Sequence, residues 1–72
     1  MNVIQLYEAA IASFERVISD RRDTKKYVDI KYGHEPNEES DELQREIESL
    51  ELSKSRVEAQ VRELLNEEEE SL

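Results

Sequence analysis

One stretch decides the fold, KKYVDIKYGHEPN at residues 25–37, because it carries two competing periodicities and then a corner. Val28, Ile30 and Tyr32 alternate with charged residues, which is the pattern of a half-buried strand. Val28 and Tyr32 also continue a seven-residue apolar repeat that begins near the amino terminus, which is the pattern of a helix. A strand needs an edge to pair with, and the sequence contains no second strand candidate. We therefore predict a helix; the alternative is an extended segment 27–32 that pairs with its own copy or with the sheet edge of a target.

The end of that stretch has the residue types of a corner between two helices. Gly33 can adopt the left-handed backbone conformation that closes a helix. Pro36 cannot continue the preceding helix, and Asn37 is a favourable first cap for the next one. Acidic residues follow directly, where the dipole of a new helix favours negative charge.

Apolar residues recur at spacings of three and four on both sides of this corner, so that they share one face of each helix. The predicted seam comprises Ile4, Tyr7, Ile11, Phe14, Ile18 and Val28 on the first helix, and Leu43, Ile47, Leu50, Val57, Val61 and Leu64 on the second. The predicted fold is all-α: helices at about 2–32 and 38–66, joined by a turn at 33–37, form an antiparallel coiled-coil-like hairpin. Four consecutive acids lie where a helix dipole disfavours them, so 67–72 is expected to be a frayed acidic tail.

The apolar stripe of the first helix is wider than one partner helix covers. Val3, Ala10 and Val17 lie beside the seam and extend it. The chain has 72 residues and no cysteine, so its core is marginal and no disulfide reinforces it. Small chains of this kind rely on idealised helix packing or on oligomerisation. We therefore predict a homodimer in which two hairpins form a four-helix bundle.

Three cations, Arg21, Lys25 and Lys54, fall at seam positions near the middle of the hairpin. The first interpretation is that their aliphatic stems cover the core while their charged ends reach nearby carboxylates. A second is that they specify register or oligomeric state, as polar seam residues can. A third is a binding site for an anion or an acidic partner.

The net charge of −9 is unevenly distributed, with +1 in residues 1–34 and −10 in residues 35–72. Such a chain repels phosphates and anionic lipids, so we expect no direct contact with nucleic acid or membranes. An acidic mimic of nucleic acid, which would inhibit a nuclease or a DNA- or RNA-binding protein, is the alternative function. A mimic should spread its charge along the rod, yet residues 43–66 sum to only −1.

Catalytic and metal-binding groups are sparse. His34 beside Glu35 is the one histidine–acid pair, and a turn offers it no nucleophile and no shaped pocket. One histidine and no cysteine leave only carboxylates for a metal. We therefore predict a protein that is not an enzyme and that holds neither metal nor cofactor.

The remaining class is a protein-interaction module: a small adaptor, subunit or regulator that docks on a larger protein through helical coiled-coil contacts. Leu6, Tyr27 and Leu52 fall outside the seam and are the candidate outer-face contacts with such a partner. No apolar run approaches the roughly 18 residues of a membrane span. The amino terminus also lacks the basic region of a secretory signal, so the predicted location is cytoplasmic.

Overall fold

The structure, a computed structural model, describes residues 2–71 and the side chains of residues 2–67. It contains two helices, α1 (Val3–Lys31) and α2 (Glu38–Ser71), which pack against each other as an antiparallel hairpin. This confirms the predicted all-α hairpin: residues 27–31 of the segment that could have been a strand belong to α1, and Tyr32 is its C-cap. The second helix runs five residues beyond its predicted end at about 66. The fraying of 67–72 stays a prediction, and Leu72 together with the side chains of 68–71 lies outside the described residues.

A reciprocal pair of hydrogen bonds sets the start of α1. The backbone N–H of Gln5 donates to the side-chain oxygen of Asn2 at 2.8 Å, and the backbone N–H of Asn2 donates to Gln5 Oε1 at 3.2 Å. This capping box satisfies two backbone donors that a helix start otherwise leaves without partners.

The corner uses two consecutive left-handed residues. Gly33 has a φ of 65°, as its position after the last helical turn predicted, and His34 follows with a φ of 63°. The backbone N–H of His34 donates to the carbonyl of Asp29 at 2.7 Å, and that of Gly33 donates to the carbonyl of Ile30 at 3.0 Å. These bonds satisfy carbonyls at the end of α1 and turn the chain by way of a conformation that non-glycine residues rarely adopt.

The start of α2 is fastened both to its own cap and to α1. The backbone N–H of Ser40 donates to the side-chain oxygen of Asn37 at 2.7 Å, which is the predicted N-cap. The hydroxyl of Ser40, a buried residue, donates to Asp29 Oδ1 at 2.6 Å. The hydroxyl of Tyr32 donates to Glu39 Oε1 at 2.9 Å, and this bond to a carboxylate raises the pKa of Tyr32.

The hairpin is one layer of helix thick. Its Cα trace measures 57 × 19 × 11 Å, so the two rods lie side by side with no further layer above or below them. Among the described residues, only three hydrophobic side chains are buried: Ile18, Val28 and Ile47. Protein cores are normally enclosed between two layers of secondary structure. Most of this seam is therefore open to solvent on at least one side.

Candidate self-association surface

The seam has two sides with opposite chemistry. The ion-paired side is defined by Glu15, Arg22, Lys25, Asp29, Glu51 and Lys54. The apolar side is defined by Val3, Ala10, Ser13, Phe14, Val17 and Leu50. Each side lies along the line where α1 and α2 meet.

On the ion-paired side, charges bridge the two helices. Lys54 Nζ lies 3.3 Å from Glu15 Oε1, and Arg22 pairs with Glu51. Both pairs join α1 to α2, so their charges are matched within one molecule. Exposed pairs of this kind contribute roughly 0–1 kcal/mol each. Their main effect is to cover the seam here with groups that a second apolar surface would have to desolvate.

Asp29 anchors the corner end of the ion-paired side. Its carboxylate accepts a hydrogen bond from the Ser40 hydroxyl at 2.6 Å and another from Lys25 Nζ at 3.1 Å. The hydrogen bond from Ser40 and, next, that from Lys25 favour the charged form, so they hold the pKa of Asp29 below its ordinary value. Ionised Asp29 is therefore the form that ties the end of α1 to the start of α2.

On the apolar side, a groove of about 390 Å³ opens to solvent between Ala10, Ser13, Phe14, Val17 and Leu50. Val17 is 39% exposed. Val3 is 55% exposed and lies one heptad before Ala10 on the same face of α1. Apart from Ser13, these are aliphatic and aromatic side chains that the chain itself covers only in part.

Toward the corner, the same side of the seam holds a second groove of about 670 Å³, which is lined by Thr24, Val28, Leu43 and Ser49 and also by the charged Glu39, Glu42, Arg45 and Glu46. An ion pair borders this part, with Arg21 Nε 3.4 Å from Glu46 Oε2.

The side-chain pattern explains why the two sides differ. Glu15, Arg22 and Asp29 recur every seven residues on one flank of the α1 seam, whereas Ala10 and Val17 recur on the other. Helical spacing from Leu50 places Ser53 and Gln60 of α2 on the apolar side, and both are uncharged. The apolar side is therefore weakly charged along the half of the hairpin away from the corner.

Three of the predicted seam residues are buried, and the others are only partly covered. Ile18, Val28 and Ile47 are buried. The half-buried members are Ile4, Tyr7, Ile11, Phe14, Leu43, Leu50, Val57, Val61 and Leu64. No member of the half away from the corner is fully buried among the described residues, so that half is the more open one.

The three seam cations each reach a carboxylate. Arg21 pairs with Glu46, Lys54 with Glu15, and Lys25 with Asp29 one turn along its own helix. The side chains of Lys25 and Lys54 are 29% and 26% exposed, so their stems are largely covered. This is the arrangement that the first interpretation describes. The register and anion-site interpretations stay predictions.

The candidate outer contacts are all exposed. Leu6 is 57% exposed, Tyr27 70% and Leu52 55%. Leu6 lies within one turn of Val3 and so borders the apolar side. The sequence analysis did not identify Ile30 as an outer contact, because it considered this residue only within the strand-like alternation of residues 28–32. Ile30 is 67% exposed and lies one turn after Tyr27.

Other kinds of site find little support in the described part of the chain. His34 is exposed at the tip of the turn. No three histidine, cysteine or acidic side chains come together there in a metal-binding arrangement. Neither helix, over its described residues, offers an apolar length that would cross a bilayer. Comparison with family models, with curated proteins and with solved structures gave no match to this chain.

Proposed function

We propose that this protein is a non-enzymatic interaction module that acts as a homodimer, with the apolar sides of two hairpins packed together in a four-helix bundle. The observation that carries the proposal is the open groove between Ala10, Phe14, Val17 and Leu50. A second hairpin placed on it supplies the missing layer and encloses the half-buried seam.

The accessible surface supports this assembly. The chain exposes 5703 Å², whereas a compact monomer of the same mass exposes about 4,700 Å². The excess of about 1,000 Å² is comparable to the roughly 800 Å² that each partner buries in a stable interface. The hairpin thus has enough surplus surface to form a dimer and still present its outward faces.

A larger partner would meet those outward faces. Leu52 projects away from the seam and remains accessible in a dimer formed through the apolar side, whereas Tyr27, three heptads after Leu6 on the same stripe of α1, borders that side. Tyrosine, unlike leucine, is enriched among the residues that anchor protein contacts, so Tyr27 is the stronger candidate anchor at the edge of the dimer. The adaptor, subunit or regulator role, and the cytoplasmic location expected with it, remain parts of this proposal.

The acidic-mimic alternative has no specific observation in its favour. In the middle of the hairpin, Glu15, Glu46 and Glu51 are each matched by a cation of the other helix. A mimic would need free carboxylates there. Its binding would also weaken steeply with added salt, whereas contacts through apolar side chains would not.

Sedimentation equilibrium at micromolar concentration tests the dimer. We expect twice the chain mass of 8.5 kDa, together with a fully helical circular dichroism spectrum. A mass of 8.5 kDa with the same helical content would contradict the proposal. A pull-down from the native host at high and low salt, followed by identification of the bound protein, then separates an adaptor from a charge-driven mimic.

A further inference from the structure

Two symmetric arrangements can bring the apolar sides of two hairpins together. In the same-end arrangement, the two-fold axis runs along the rods, both corners lie at one end, and each α1 packs on α2 of the other copy. In the opposite-end arrangement, the axis crosses the rods, the corners lie at opposite ends, and each helix packs on its own copy. The two arrangements present different outer surfaces, so each would offer a partner a different binding surface.

We infer that the dimer adopts the same-end arrangement; this inference rests on the homodimer proposed above. The first reason is overall charge. The half of the chain that contains α1 carries +1, and the half that contains α2 carries −10. The opposite-end arrangement sets the −10 half against its own copy, whereas the same-end arrangement sets it against the +1 half. Repulsion between like charges across an interface therefore disfavours the opposite-end arrangement.

The second reason is where the charges lie along the rods. Within residues 21–31 of α1, near the corner, Arg22, Lys25, Lys26 and Asp29 line the ion-paired side, whereas Arg21 and, by heptad spacing from Val17, Lys31 lie toward the apolar side. Residues 63–70 of α2 hold five acids and no base in the sequence, and they belong to the far end. The opposite-end arrangement lays the corner half of α2, with Glu46, against the acidic 63–70 of the other copy. The same-end arrangement lays it against Arg21 and Lys31 instead.

The third reason is the ion pair that borders the apolar side. Arg21 and Glu46 lie at nearly the same height along the hairpin, 3.4 Å apart, with side chains 42% and 55% exposed. A two-fold axis along the rods brings this pair beside its own copy, so that Arg21 of each chain approaches Glu46 of the other. The four charges then alternate in sign. In the same arrangement, Val17 lies at the height of Ser53 on the other copy, which places no charge against it.

The same-end dimer has a consequence for a partner. It places both copies of the exposed Tyr27 and Ile30 near one end of the bundle. A partner would therefore meet two equivalent patches at the end that holds the corners. The opposite-end dimer would separate these patches by most of the 57 Å length of the rod.

The distance between the two corners tests this inference. The chain has no cysteine, so Glu35→Cys in the exposed turn accepts a single nitroxide label per chain. Pulsed dipolar spectroscopy should give a label separation of about 20–30 Å in the same-end dimer, because helices in adjacent layers lie about 8–10 Å apart and the label linkers add to this. A separation of about 50 Å or more, from rods that rise 1.5 Å per residue, would overturn the arrangement and leave the dimer intact. The absence of any dipolar signal at micromolar concentration would overturn the dimer itself.

Disulfide trapping provides a second measurement. Val17→Cys and Ser53→Cys are made in separate chains and mixed under mild oxidation. The same-end arrangement predicts a covalent heterodimer in high yield. The matched variant is Val17→Cys alone, since the opposite-end arrangement brings the middle of α1 onto its own copy. A cross-linked homodimer of Val17→Cys without the mixed product would overturn the inference.

Discussion

The two sides of the seam lie on the same pair of helices, yet one carries charged side chains that pair within the chain and the other exposes apolar side chains. On the ion-paired side, Lys54 and Arg22 find carboxylates across the hairpin, so the charges are matched within one chain. On the apolar side, the groove around Phe14 and Val17 has no cover. In the proposed dimer, the matched charges would close the ion-paired side to a second copy, and the apolar side would receive it.

The largest effect is expected from a charge placed on the apolar side. Val17→Lys should raise the dissociation constant of the dimer at least about 100-fold. The interface would contain two copies of the new lysine, and burying an unpaired charge costs several kcal/mol. Helical content should persist at concentrations where the dimer dissociates, since Val17 is 39% exposed within one chain. Sedimentation velocity over a concentration series measures the change.

Ser19→Lys is the matched control, because it adds the same charge two residues away on the ion-paired side. There the new cation lies one turn from both Glu15 and Asp23 on α1. Its dissociation constant should remain within a few-fold of the parent. Equal weakening by both substitutions would show that the sides do not differ in the way described.

A smaller effect is expected from the apolar residue beneath the ion pairs. Ile47, 3% exposed, lies at the bottom of a groove flanked by Arg22, Lys25 and Asp29. Ile47→Ala should lower the free energy of unfolding by about 2–3 kcal/mol, since it leaves a cavity where the helices meet. Arg22→Gln, which removes an exposed charge pair above it, should lower that free energy by less than about 1 kcal/mol. Urea unfolding at fixed chain concentration compares them, and a larger loss from Arg22→Gln would mean that the pairs, not the residue below, hold this side together.

The smallest effect should appear as a pH dependence at the corner. Because the pKa of Asp29 is lowered in the folded chain, its ionised form stabilises the fold. That contribution is complete above the ordinary aspartate value of about 4, and it is lost as the pH falls through the lowered value. Asp29→Asn should therefore flatten the fall in unfolding free energy between about pH 5 and pH 2. Ser40→Ala, which removes the hydrogen bond that lowers the pKa of Asp29 most, should flatten the slope in the same direction; an unchanged slope in both variants would contradict this role for Asp29.

The hairpin could be predicted from the sequence because its determinants are local. Gly33, Pro36 and Asn37 set the corner, and heptad spacing set the two seams, so the helix boundaries at the corner agree with the structure to within one residue. The sequence analysis did not identify the capping box of Asn2 and Gln5, although this motif is also local and needs only two side chains three residues apart.

Other features depended on how the helices dock. That Lys54 would meet Glu15, rather than another nearby acid, follows from a cross-helix register that apolar spacing defines only to within a turn. The contact from Ser40 to Asp29 and the left-handed backbone of His34 depend on the path of the corner in three dimensions. The sequence does indicate which positions flank the seam, but the division into an ion-paired and an apolar side required both helices to be placed.

The bond between Ser40 and Asp29 has a further consequence for the order in which the chain folds. The two residues are 11 positions apart, so closing the loop between them costs little conformational entropy. A nucleus at the corner would therefore form early, and pairing of the helices would propagate outward toward the two chain ends. Collapse of the hairpin should appear as a fast relaxation whose rate does not change with protein concentration. A slower, second-order phase would then report the encounter of two nearly finished hairpins.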